Sequence, residues 1–132
     1  IKNWEINLFA SHSNVKKICN HPRNLDDKQL RAIKKVNGLI GINFYPSFLN
    51  KNLQVDINSV VKHIDYIKEL IGVDYVALGT DFDGIEDTPY GLENLGQLNN
   101  LENALRKRGY NEVEIKKVFY LNAIRYFENS WR

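Results

Sequence analysis

The sequence predicts an α/β fold in which parallel strands alternate with helices that cross back over the sheet. Three observations carry that expectation. Short, nearly continuous apolar runs recur at residues 6–10, 39–44 and 74–80. Stretches with apolar residues at helical spacing lie between and after them. Turn-forming residues punctuate the changes from one pattern to the other. Apolar strands separated by amphipathic helices imply parallel pairing with right-handed crossovers.

The first strand is Ile6 to Ala10, ending in Ser11-His12-Ser13-Asn14. A loop containing Asn20, Pro22 and Asn24 follows. Asp26 or Asp27 then caps a helix with apolar positions Leu30, Ile33 and Val36, and Asn37-Gly38 ends it. Leu39 to Phe44 forms the second strand. After a loop with Pro46, Asp56 opens the best-patterned helix. Val60, Ile64, Ile67 and Ile71 fall on one stripe, widened by Val61 and Leu70. Gly72 supplies a left-handed cap. Asp74 to Thr80, reading DYVALGT, is the third strand, and a long loop runs from Asp81 to Gly91.

Two helices come last. Leu95, Leu98, Leu101 and Leu105 line the first, which stops at Gly109. Asn111 and Glu114 form a capping box for the second, whose buried face is Ile115, Val118, Phe119 and Phe127. Open doubly wound sheets and (β/α)8 barrels both have this rhythm, and three strands are few for either.

A chain of 132 residues fits one domain, 1–132. With 43% hydrophobic and 26% charged residues it has globular usage, which argues against disorder. Eighteen basic and 16 acidic side chains leave a net charge of +2. Lys16-Lys17, Lys34-Lys35 and Lys116-Lys117 are isolated pairs without interleaved aromatics, so no nucleic-acid partner is expected. Cys19 is the lone cysteine, which excludes an internal disulfide. Its nearness to His21 raises a Cys/His nucleophile, but a half-buried or exposed loop thiol fits better, since no orienting partner is evident. No apolar run approaches the roughly 20 residues of a membrane span. No charged-then-apolar leader begins the chain, and together these favour a cytoplasmic location.

Parallel α/β folds gather their sites beyond the carboxyl ends of the strands. Those ends carry Ser11-His12-Ser13-Asn14, then Asn43 and Tyr45, then Thr80-Asp81-Phe82-Asp83-Gly84. A histidine and an aspartate directed into one pocket can bind metal or transfer protons. Asp-Phe-Asp-Gly lacks the spaced ligands and final glutamate of a calcium loop. His63, at the edge of its helical stripe, is read as packed or exposed rather than ligating, and His21 stands in a loop before a proline.

ASHSN at 10–14, HPRNLDD at 21–27, INFYP at 42–46, HIDYIKELIGVDYVALGTDFDG at 63–84 and GLENL at 91–95 resemble, in order, the membrane (renal) dipeptidase family. The resemblance runs from about Ile6 to Phe127. It implies a (β/α)8 TIM-type barrel with a binuclear zinc site, of which this chain would be strands six to eight plus a terminal helix. By the same resemblance His12 is a metal ligand, Arg23 holds the carboxylate of the substrate dipeptide, and Asp81 is the catalytic aspartate near the bridging water. The family's other ligands, a His-x-Asp pair, a bridging glutamate and the fifth-strand histidine, have no counterpart here.

The resemblance therefore implies metal-dependent dipeptide hydrolysis, with this chain supplying part of a two-zinc site and inactive alone. The N-terminal barrel half would come from the same gene or a separate chain. The alternative is a non-catalytic α/β binding or assembly module, with the edges of the first and third strands open to homo-oligomer formation. A half-barrel leaves the strands' apolar side chains with incomplete cover, so rearranged or oligomeric packing is expected of the chain alone.

Overall fold

The computed structural model describes residues 9–10, 14–43, 49, 56–79 and 98–130. In chain order the elements are β1 (Phe9–Ala10), α1 (Asp27–Lys35), β2 (Leu39–Ile42), α2 (Ile57–Ile71) and a 3-10 turn (Val73–Tyr75). Then come β3 (Val76–Leu78), α3 (Leu98–Lys107), α4 (Glu112–Lys116), a π turn (Lys117–Leu121) and α5 (Asn122–Ser130). The strands pair in parallel in the order β1-β2-β3, with Phe9 opposite Leu39 and Ile40 opposite Val76. β2 is central, and β1 and β3 are the edges, as the strand–helix rhythm implies.

Local chemistry sets the element ends. Asp26 caps α1: its carboxylate accepts from the Gln29 N–H at 2.8 Å, and the Gln29 side chain accepts from the Asp26 N–H at 2.9 Å. This settles the choice between Asp26 and Asp27. Asn37, not Gly38, takes the left-handed conformation at the other end, with φ 57. The Gly38 N–H then donates to the Ile33 carbonyl at 2.8 Å and the Asn37 N–H to that of Lys34 at 3.0 Å, closing the helix.

Asp56 caps α2 through a reciprocal pair of bonds with Ser59. Gly72 ends it at φ 102 and ψ 162, an extended positive-φ conformation rather than the expected left-handed helical cap. Only glycine adopts that region without strain. Nothing lies within 4 Å of a Cβ placed there, so the constraint is the backbone and not space. The following 3-10 turn takes Asp74 and Tyr75 out of the expected third strand.

The last predicted helix is interrupted by the π turn, with Ile115, Val118, Asn122 and Tyr126 inward. Phe127, expected in the core, is 42% exposed. Tyr126 packs on the sheet instead, with Ala123 beside it. The parts of the predicted elements at Ile6, Phe44 and Leu95 lie outside the described residues.

Alternation along the strands divides the core in two. On one face Ile40, Ile42 and Val76 meet Leu30 and Ile33 of α1, Ile64 and Ile67 of α2, and Leu101 and Leu105 of α3. Truncating one of these large buried side chains to alanine costs about 2–5 kcal/mol. On the opposite face, Leu39 and Ala77 are covered by Tyr126 of α5. The terminal helix is therefore the cover for part of the face that the half-barrel expectation left bare. Asn122 fastens it, its side-chain amide donating to the Val73 carbonyl at 2.7 Å and the Val76 carbonyl at 2.8 Å.

Candidate functional site

The carboxyl edge of the sheet is extended by one side chain. Asn14, just beyond β1, is fully buried. Its Nδ2 donates to the Asn43 carbonyl at 2.8 Å, and its Oδ1 accepts from the Asn43 N–H at 2.8 Å. A side-chain amide here does the work of a peptide group and adds a rung after β2 ends. On the other side, the Gly79 N–H donates to the Ile42 carbonyl at 2.8 Å. All three strand ends are thus tied to their neighbours.

The loop that leaves Asn14 returns to it. The Leu25 N–H donates to the Asn14 carbonyl at 2.7 Å, and the Lys16 N–H donates to the Leu25 carbonyl at 2.8 Å. Inside the loop, the Cys19 carbonyl accepts from the His21 N–H at 2.8 Å and from Nδ2 of buried Asn24 at 2.9 Å. Arg23 stands exposed on the turn between them, its backbone N–H donating to Nδ1 of His21 at 3.1 Å. Cys19 is only 1% exposed, deeper than the half-buried or exposed thiol expected, and is shielded from acting as a nucleophile.

His63 of α2 braces this loop from below. Its ring is fully buried; Nδ1 accepts from the Val15 N–H at 3.0 Å and Nε2 donates to the Leu49 carbonyl at 2.8 Å. Since the Val15 N–H can only donate, the proton of the neutral ring belongs on Nε2. Burial holds the imidazole's pKa down at about 4, against the opposing pull of the Leu49 carbonyl, with a small further lowering from Lys62. His63 is a packed histidine, as its place on the stripe implies, and its two bonds join segments 48 and 14 residues away.

Of the three residues singled out by resemblance, Arg23 is placed, on the loop closed against Asn14. His12 and Asp81 lie outside the described residues. Among the described residues no group of three or more His, Cys, Asp or Glu side chains could hold a metal ion. The described residues therefore do not fit a metal by themselves. No described helix is long and apolar enough to cross a membrane. The supporting roles of Asn14, Asn43 and His63 are not evident from residue type alone. The available signal was position: each asparagine stands just past an apolar run, and His63 directly precedes Ile64.

A family model described as Membrane dipeptidase (Peptidase family M19) matches residues 5–130. An uncharacterised protein from the pqqA 5′ region of Klebsiella pneumoniae is 41% identical over 129 residues, covering 95% of this chain and 47% of its own length. The crystal structure of the dipeptidase AC, a metallopeptidase, superposes with a TM-score of 0.90 at 33% identity, over 98% of this chain and 39% of that one. A metallopeptidase from Rhodobacter sphaeroides, liganded with a phosphinate mimic of the dipeptide L-Ala-D-Ala, gives a TM-score of 0.88 at 34% identity, over 94% of this chain and 36% of that one. The chain thus spans less than half the length of each of these relatives. Its strands and helices keep the arrangement of the two solved relatives rather than a rearranged one.

Proposed function

The chain belongs to the membrane dipeptidase family, and from that premise we propose that residues 1–132 are the C-terminal part of a (β/α)8 barrel that hydrolyses dipeptides. They correspond to strands six to eight and a terminal helix. His12 is one ligand to the metal, zinc, of which the complete site holds two ions. Arg23 binds the substrate's carboxylate and Asp81 handles the proton. The remaining ligands come from the other barrel strands, so the chain alone is inactive. The observation that carries this reading is the bonded carboxyl edge, with Asn14 locked to Asn43 and Arg23 on the loop closed against Asn14. Sites in barrels lie at that end. In chain order His12 follows β1 and Asp81 follows β3.

The roles follow from side-chain chemistry. Arginine's planar fork matches a carboxylate with two parallel bonds, which selects substrates with a free C-terminus. Water's oxygen ends on the carbonyl carbon and the C–N bond breaks. Asp81 takes the water's proton on a carboxylate oxygen and returns it to the leaving amine nitrogen. A relative's complex with a dipeptide mimic supports dipeptides as the substrate class.

The test uses the chain joined to the rest of a family barrel. Arg23→Ala is expected to raise KM for a dipeptide by about 10- to 100-fold, the loss of a charge-assisted pair. It should leave the corresponding dipeptide amide nearly untouched. Equal loss on both substrates would remove Arg23 from the role. Asp81→Asn should lower kcat by roughly 100-fold or more at unchanged metal content; loss of metal would make Asp81 a ligand instead.

A further inference from the structure

The terminal helix has an outward side that its own chain does not bury. Tyr120, at the end of the π turn, and Ile124 and Phe127 of α5 fall four and three residues apart and are 45%, 49% and 42% exposed. An open groove of about 410 Å³ runs along them, bordered among the described residues also by Phe119, Ala123 and Glu128. A contiguous apolar strip of this kind marks an interaction surface rather than the scattered exposure of ordinary surfaces.

Its place in the fold says what covers it. α1, α2 and α3 pack on the sheet face that carries Ile40, Ile42 and Val76. α5 packs on the other face, over Leu39 and Ala77. In a closed barrel the helices ring the outer face, so the face under α5 is the one turned toward the barrel's interior. Leu39 is the first residue of β2, and Asn122 bonds the carbonyls of Val73 and Val76, ahead of and at the start of β3. α5 therefore sits at the amino end of the strands, opposite the candidate site, with its far side directed to where further strands would complete the barrel. This unit covers 39% and 36% of the two solved relatives' chains, so the larger part of each lies outside it.

We propose that the strip formed by Tyr120, Ile124 and Phe127 is the docking surface for the rest of the barrel, a polypeptide of further parallel βα units. The inference rests on the reading of the chain as part of a barrel. It adds that assembly is seated at the end remote from the chemistry, on the terminal helix as well as on the open edges of β1 and β3. Binding there needs neither metal nor substrate.

The experiment co-expresses this chain with the part of the Klebsiella pneumoniae relative outside its matched region and measures association by sedimentation velocity in chelator. A one-to-one complex is expected. Ile124→Glu with Tyr120→Ser should weaken it roughly 30-fold or more, as for central anchors of an interface. The milder Ile124→Ser should weaken it less, with the free chain's circular dichroism unchanged in both variants. No complex, a complex indifferent to these substitutions, or self-association of this chain that they abolish would each overturn the proposal. A metal-free complex that forms but never hydrolyses dipeptides would uphold the docking and sink the catalytic reading, so the two fail separately.

Discussion

The carboxyl edge of the sheet and the terminal helix bury opposite kinds of group. At the edge, Asn14 and His63 are buried polar side chains, each satisfied by backbone partners from distant segments. On the terminal helix Tyr126 covers Leu39 and Ala77 by apolar contact, while Tyr120 and Ile124 remain outward. Directional bonds fix positions to within tenths of an ångström but lose heavily when one partner is removed. Apolar contact is tolerant of direction and open to extension by another surface. One end of the molecule is built to hold geometry and the other to be completed.

The sharpest way to break this contrast is His63→Ala. It strands the Val15 N–H and the Leu49 carbonyl and opens a cavity, so a loss of about 3–5 kcal/mol is expected in urea unfolding. A loss under about 1 kcal/mol would mean that the loop is not braced by the ring.

Acid probes the same brace without mutation. Burial holds the folded His63 pKa at about 4, below the ordinary histidine value of 6.5. Between those values the unfolded chain binds a proton that the folded chain refuses, so stability falls as pH falls. His63 should contribute a loss of about 3 kcal/mol between pH 7 and pH 4. His63→Gln should lack that component, and parallel pH profiles for the two proteins would contradict the assignment.

Asn122 is the exception on the terminal helix, a buried amide among apolar neighbours. Asn122→Ala leaves two carbonyls without their donor and is expected to cost about 1–3 kcal/mol by thermal or urea unfolding. The smallest effect should come from Ile124→Ser, within about 0.5 kcal/mol for the chain alone. A large loss there would place Ile124 in the chain's own core and remove the contrast.

Much of the fold was legible because hydrophobic period and caps are local. The three parallel strands, the Asp56 cap and the stripe from Val60 to Ile71 follow from spacing alone. Phe127 was misplaced because the π turn at Lys117–Leu121 interrupts the helical spacing, and Tyr126 rather than Phe127 meets the sheet. Asp74 was misplaced because the extended conformation of Gly72 directs the chain into a 3-10 turn before β3 begins. At the site, the strand ends were legible as places, whereas Arg23 was singled out by resemblance alone. The Asn14–Asn43 rung and the two-sided bonding of His63 were not, since each joins segments distant in sequence.

The most direct measurement is zinc-dependent hydrolysis of an alanyl dipeptide by the 132-residue chain, first alone and then assembled with the remaining strands of a family barrel. No turnover alone and zinc-dependent turnover in the assembly, abolished by chelation, is the expected result. Equal turnover by the chain alone, or an assembled barrel with zinc bound that leaves dipeptides intact, would contradict it.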